Sequence, residues 1–142
     1  MSSFDNDNAT APPRADFTKV LVVGRSAINR VVVSKIVERA GLKPIAEAPE
    51  AAERALHAHA PGTVVLDGGA DNRDCDGLIA GIAAARGAGG AAPAVILLSN
   101  RVGTPESLAL PSVVDAVVAK PITAECLQPV IDRLSGYGQR GN

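Results

Sequence analysis

Short apolar runs rich in β-branched residues recur along the chain, and longer segments with helical spacing of apolar residues separate them. The apolar runs predict strands at 19–23, 44–46, 63–66, 94–98 and 116–119. Helices are predicted at 27–40, 49–59, 78–86 and 123–134, with one helical turn at 106–110 because prolines and a glycine interrupt that stretch. Runs that are apolar at nearly every position suit strands buried on both faces of a parallel sheet. The pattern therefore predicts an α/β domain with a doubly wound, five-stranded parallel sheet of the (βα)5 type.

The ends of the first and last predicted helices carry capping signals. Ser26 is placed to cap the first helix, and Gly41 is placed to end it in the left-handed conformation. The core-facing stripe of this helix is predicted to comprise Ile28, Val31, Val32, Lys35, Ile36 and Arg39. In the last helix Thr123 can supply the cap, and Pro129 lies inside the span, so we expect a kink or a break there.

Composition limits the classes of function. The chain has 142 residues, 46% of them hydrophobic, and a net charge of −1, so neither nucleic acid nor an anionic membrane is expected as a partner. One domain is predicted at 17–135, between a disordered leader at 1–16 and a disordered tail at 136–142. Cys75 and Cys126 fit neither a disulfide framework nor a zinc site, and are predicted to be free thiols. Because the leader lacks the features of a signal peptide and no run is long enough to span a membrane, a cytoplasmic location is expected.

Polar side chains stand where the predicted strands end. Asp67 ends the third strand, Ser99 the fourth and Lys120 follows the fifth, while Arg25 stands just beyond the first. Ligands of doubly wound sheets lie outside the carboxyl ends of the strands, so these four residues are expected at one edge. A carboxylate can attack a phosphoryl centre while a hydroxyl and an ammonium stabilise the transferred oxygens.

With these residues placed, the chain resembles the receiver domains of bacterial response regulators, which have a flavodoxin-like fold. The segments that carry the resemblance are 21–23, 26–30, 64–67, 76–78, 97–99 and 120–122. The resemblance implies that Asp67 is the position that accepts a phosphoryl group from a histidine kinase. It further implies that Ser99 hydrogen-bonds a phosphate oxygen, that Lys120 pairs with the phosphate, and that a cis peptide bond precedes Pro121.

The sequence departs from the receiver pattern at two places. The acidic pair that holds magnesium in the family is replaced by Gly24 and Arg25, so no metal and no other cofactor is expected. We expect Arg25 instead to form an ion pair with Asp67. In the family, an aromatic residue reports phosphorylation by rotating its ring inward. Here that residue is replaced by Val117, whose side chain cannot perform such a rotation.

The resulting hypothesis is an atypical stand-alone receiver, not an enzyme, in a two-component phosphorelay. It is expected to contact a histidine kinase or another signalling protein through a surface near 100–134, with weak, metal-independent or absent phosphorylation of Asp67. A second hypothesis is a pseudo-receiver that senses an anionic small ligand such as a cyclic dinucleotide, with cations supplied by Arg25, Arg30, Arg101 and Lys120. An α/β enzyme acting on phosphorylated substrates ranks last, because no activated nucleophile other than Asp67 is evident.

Overall fold

The computed structural model of the protein describes residues 16–68, 75–87, 93–110 and 113–140. Within these ranges the strands are β1 (Asp16–Val23), β2 (Lys43–Glu47), β3 (Pro61–Asp67), β4 (Ala94–Ser99) and β5 (Ala116–Ala119). The helices are α1 (Ala27–Arg39), α2 (Pro49–His59), α3 (Asp76–Gly87) and α4 (Ala124–Arg140). The strands form one sheet in the order β2-β1-β3-β4-β5, and all neighbouring pairs are parallel. The predicted doubly wound, flavodoxin-like sheet is confirmed.

Alternating side chains of the central strands point to opposite faces of the sheet, and each face carries its own hydrophobic cluster. On one face, residues of β1, β3 and β4 pack with α2, α3 and the segment before β5: Leu21, Val64, Leu97, Ala52, Ile82, Val113 and Val114. On the other, they pack with α1 and α4: Val22, Val65, Ile96, Val33, Val37, Leu127 and Ile131. Burial of each Val, Leu or Ile side chain contributes about 1.5 to 3 kcal/mol, so both helical layers hold the strand ends in fixed positions.

Helix α1 begins and ends as predicted, but it buries a different face. Ser26 Oγ accepts a hydrogen bond from the Asn29 amide at 3.2 Å, and Gly41 adopts φ +83° at the end of the helix. The predicted core stripe is wrong except at Ile36, because Ile28, Val31, Val32, Lys35 and Arg39 are exposed. The residues that α1 buries are Val33, Ile36 and Val37.

Residues 104–110, between β4 and β5, form a short turn in place of a longer helix that could cover the sheet. Backbone hydrogen bonds from the Leu108 amide to Thr104 and from the Leu110 amide to Pro105, each 3.0 Å, close a turn that begins before the predicted range of 106–110 and overlaps it. Leu110 packs against the cluster that contains Val113 and Val114, so this segment supplies apolar cover without a long helix.

Helix α4 continues through Pro129 to Arg140, without the predicted break and beyond the predicted end at 134. Thr123 caps it as predicted, since its Oγ1 accepts from the Cys126 amide at 3.2 Å. Residues 1–15 of the predicted leader lie outside the described ranges. Its last residue, Asp16, begins β1. Cys75 and Cys126 are free thiols. Across the described residues, none of the helices combines the length and apolar character needed to cross a bilayer.

Candidate functional site

The carboxyl edge of the sheet brings the predicted residues of β3, β4 and β5 together. In the parallel register Asp67 pairs with Leu98, and Ser99 pairs with Ala119. The Lys120 amide donates to the Ser99 carbonyl at 2.8 Å, so the chain stays paired for one residue beyond β5. The peptide bond between Lys120 and Pro121 is cis, as the resemblance implied. This register places the Lys120 side chain beside Asp67.

The Asp67 carboxylate is buried, and each of its oxygens accepts a hydrogen bond. Only 6% of the residue is exposed. The Lys120 ammonium lies 2.6 Å from Oδ1, and the Asn29 side-chain amide donates to Oδ2 at 2.8 Å. A buried carboxylate needs such donors, because transfer from water without them is costly. The site is therefore a buried ion pair completed by a neutral amide.

Asn29 is the functional residue that the sequence analysis missed. It lies in the first turn of α1, and its backbone amide is bound by the Ser26 cap, so the cap also fixes the direction of its side chain. A carboxylate only accepts hydrogen bonds, so the atom that Asn29 presents to Asp67 must be its nitrogen. The sequence signal was a polar amide three residues after a cap, just beyond the end of a buried strand.

Arg25 is not brought into the predicted ion pair with Asp67. Its guanidinium lies 3.8 Å from Glu50 Oε1, and its side chain is 62% exposed. The backbone explains this placement, since the Gly24 amide donates to the Glu47 carbonyl at 3.2 Å and keeps the chain after β1 beside the start of α2. Among the described residues, the cation that contacts Asp67 is Lys120.

Gly24 allows β1 to approach Asp67 closely. A Cβ atom built on Gly24 would lie 2.9 Å from the Asp67 Cβ atom, closer than a side chain tolerates without a shift, and in ordinary contact with Oδ2 at 3.5 Å. The Gly24 carbonyl accepts from Arg30 Nη1 at 2.5 Å. The end of β1 thus offers no side-chain oxygen, and its carbonyl is held by a guanidinium.

The residues present do not fit the magnesium ion that receiver domains bind. Mg²⁺ requires an octahedral set of oxygen ligands, whereas Gly24 and Arg25 offer no side-chain oxygen and Oδ1 of Asp67 is engaged by Lys120 at 2.6 Å. Oδ2 already accepts from Asn29. Among the residues that the structure describes, no cluster of three or more acidic, cysteine or histidine side chains could hold a metal ion. Among the described residues, the charge that faces the Asp67 carboxylate is the Lys120 ammonium.

Comparison with protein-family models and with curated proteins gives no match in sequence. The structure, by contrast, matches receiver domains over nearly their whole length. The signal receiver domain of a Luxo repressor protein from Vibrio parahaemolyticus is 15% identical with a TM-score of 0.72, over 92% of this chain and 95% of that one. The chemotaxis response regulator CheY4 of Vibrio cholerae is 19% identical with a TM-score of 0.66, over 86% and 99%. The fold is that of a receiver domain.

A third solved structure is also similar to this chain. The N-terminal domain of a response regulator receiver protein from Methanoculleus marisnigri JR1 is 27% identical with a TM-score of 0.59. It covers 82% of this chain and 94% of that one. Asp67 and Ser99 end β3 and β4, and Lys120 directly follows β5.

The sequence analysis also singled out two residues with small side chains, Ser99 and Val117. Ser99 is fully buried, and its Oγ accepts from the Arg101 backbone amide at 2.9 Å. Val117 is half-buried against the cluster on the α2 and α3 face. The Ser99 hydroxyl is thus held by the backbone just after β4, and Val117 forms part of the hydrophobic packing on that face.

Proposed function

We propose that this protein is a receiver-type module of two-component signalling that acts through protein contacts, with Asp67 held out of magnesium-dependent phosphoryl transfer. The observation that carries the proposal is the pairing of both Asp67 oxygens, to Lys120 at 2.6 Å and to Asn29 at 2.8 Å. A nucleophilic carboxylate must direct a lone pair at the phosphorus atom, and these two donors each engage one oxygen and fix the orientation of the group. Breaking either contact carries a cost, because the buried carboxylate then loses a donor that compensates its desolvation.

An exposed apolar face of α1 supports the role of protein contacts. Ile28, Val31 and Val32 are 76%, 55% and 38% exposed and lie at i, i+3 and i+4, so they share one side of the helix. Lys35 and Arg39 continue the same side toward the C-terminus of α1. Apolar and cationic residues in one row favour a partner helix with an apolar face and acidic side chains. We place the contact with a histidine kinase or a related signalling protein on this face.

The surface near 100–134 is the competing location for this contact. Among the described residues of that stretch, Val102 is the large hydrophobic side chain that is strongly exposed, at 87%. A matched pair of variants separates the two surfaces, namely Ile28→Asp on α1 and Val102→Asp in the segment after β4. Each variant places one charge on a side chain that is already in solvent, so both should stay folded.

Crosslinking in the native cell tests the partner. We expect the full chain to enrich a histidine kinase or another two-component protein, Ile28→Asp to lose it, and Val102→Asp and Asp67→Asn to retain it. Loss with Val102→Asp alone would move the contact to the 100–134 surface. Failure of Asp67→Asn to bind, with an intact circular dichroism spectrum, would show that a switch centred on Asp67 survives.

Treatment with a small-molecule phosphodonor tests the chemistry of Asp67. The purified protein should gain no phosphoryl group by intact-mass spectrometry, with or without millimolar Mg²⁺. Asp67→Asn provides the matched blank for labelling at other residues. Rapid labelling that requires both Mg²⁺ and Asp67 would contradict the proposal and make this an ordinary receiver.

The contacts of the cations lower the support for an anionic small ligand. Lys120 contacts Asp67, Arg25 lies beside Glu50, and Arg30 donates to the Gly24 carbonyl. Three of the four cations on which that hypothesis depends therefore already have oxygen partners. Titration with cyclic dinucleotides should leave the melting temperature unchanged, whereas selective binding to the native state would raise it.

A further inference from the structure

The environment of Asp67 Oδ2 differs from that of a metal-bound carboxylate. Oδ2 accepts a hydrogen bond from the Asn29 amide at 2.8 Å, and Oδ1 is held by Lys120 at 2.6 Å. The Gly24 backbone stands close on the same side, since a Cβ built there would lie 3.5 Å from Oδ2. A cation approaching Oδ2 must therefore displace the amide of Asn29.

We propose that Asn29 is a positioning residue that closes this edge of the sheet to divalent cations by holding Oδ2 of Asp67. The proposal goes beyond the proposed function and rests on it only in treating Asp67 as the centre of the domain. Asn29 is suited to this task because it is neutral, so its hydrogen bond adds no charge to the site. An aspartate in the same place would offer two more oxygens and a negative charge, which is the ligand chemistry that Mg²⁺ and Mn²⁺ prefer.

The position of Asn29 is fixed from two directions. Its backbone amide donates to Ser26 Oγ at 3.2 Å, and its side chain is half-buried between α1 and the end of β3. A side chain held at both ends loses little further entropy when it binds, so it competes well with water and with ions. Replacing Asn29 by Asp keeps the shape and changes only the donor and the charge.

Paramagnetic broadening by Mn²⁺ tests the proposal on the full chain labelled with ¹⁵N. In the native protein, Mn²⁺ should leave the amide signals of Gly24, Asp67 and Lys120 sharp. In Asn29→Asp the same signals should broaden, with an apparent affinity about tenfold or more above that of the native protein. Asn100→Asp is the matched control, because it adds the same charge on an exposed residue at the same edge.

The outcomes are distinct. Equal broadening in Asn29→Asp and Asn100→Asp would mean that charge alone attracts the ion, and would overturn the role of Asn29. Broadening centred on Asp67 in the native protein would overturn the closure itself. None of these measurements involves a partner or a phosphodonor, so they can fail while the proposed function stands, and the reverse also holds.

A measurement on the native protein tests the proposal even if the Asn29→Asp variant does not fold. The side-chain amide of Asn29 in the native protein should show one proton shifted downfield and slow exchange with water, because it donates to a buried carboxylate. The same amide in Asp67→Ala, where the accepting carboxylate is absent, provides the comparison. An Asn29 amide that exchanges as fast in the native protein as in Asp67→Ala would refute the proposal.

Discussion

Removal of the Lys120 ammonium should cost the domain a large share of its stability. At the observed 2.6 Å, the attraction between Lys120 and Asp67 is about 6 kcal/mol for an effective dielectric constant of about 20. Desolvation of both ions offsets much of this gain, so the net contribution of the pair is small. Removing only the cation is different, because it leaves a buried carboxylate without its charge partner.

The Lys120→Met variant isolates that penalty, since methionine keeps the length and the apolar stem. Loss of one partner of a buried pair costs about 3 to 5 kcal/mol, and we expect the lower end because Asn29 still donates to Oδ2. This is a substantial part of the 5 to 15 kcal/mol or so that holds a typical domain folded. Lys35→Met is the matched control on the exposed side of α1 and should change stability by about 0.5 kcal/mol or less.

Urea unfolding followed by far-ultraviolet circular dichroism provides the assay, because the chain contains no tryptophan. In a double-mutant cycle, Asp67→Asn with Lys120→Met should cost less than the sum of the single variants, by about 2 kcal/mol. Strict additivity, or a loss below about 1 kcal/mol for Lys120→Met at an unchanged denaturant slope, would refute the view that this contact is a coupled, buried ion pair.

Two further predictions follow from backbone geometry. Gly24→Ala should destabilise the protein by about 1 to 3 kcal/mol in the same assay, because its Cβ would lie 2.9 Å from that of Asp67, whereas Gly81→Ala, which meets no atom within 4 Å, should stabilise α3 by about 0.5 to 1 kcal/mol. Ala60 ends α2 at φ 45°, so Ala60→Gly should raise the melting temperature, while Ala58→Gly inside the same helix should lower it; the opposite order would show that the left-handed residue carries no strain.

The sheet and its polar edge could be predicted because they depend on local patterns. Strands buried on both faces appear in the sequence as apolar runs, and in a parallel sheet their carboxyl ends meet at one edge whatever the loops do. That is why Asp67, Ser99 and Lys120 were predicted as one group and lie together. The cap at Ser26 and the left-handed Gly41 are equally local, and both are confirmed.

The buried face of α1 was predicted wrongly, although the sequence contained the correct answer. The row that starts at Ile28 and Val32 continues into Lys35 and Arg39, whose charges are costly to bury. The competing row of Val33, Ile36, Val37 and Ala40 is apolar throughout and is the one that packs on the sheet. A stripe that ends in cations is better read as a solvent-facing contact surface than as core.

The partners of Arg25 and Asn29 could not be predicted from local patterns. A guanidinium is drawn to any nearby carboxylate, and the choice between Glu50 and Asp67 depends on where the chain points after β1. The contact between Asn29 and Asp67 joins residues 38 positions apart, so only the assembled sheet reveals it. The sequence indicated Asp67, Ser99 and Lys120 as site residues. The contact with Asn29 and the partner of Arg25 follow only from the assembled fold.

Charge balance connects the departures from the receiver pattern at Gly24 and at Arg25. The pattern that the resemblance implies has three carboxylates and one lysine at this edge, a net charge that a divalent cation would neutralise. Here Asp67 and Lys120 neutralise each other at 2.6 Å, and the charge of Arg25 is directed to Glu50. The change to Gly24 and Arg25 therefore removes the negative charge that attracts the ion together with the oxygens that bind it. A single reversion at either position leaves Oδ2 of Asp67 engaged by Asn29, so we expect recovery of magnesium binding to require replacement of Asn29.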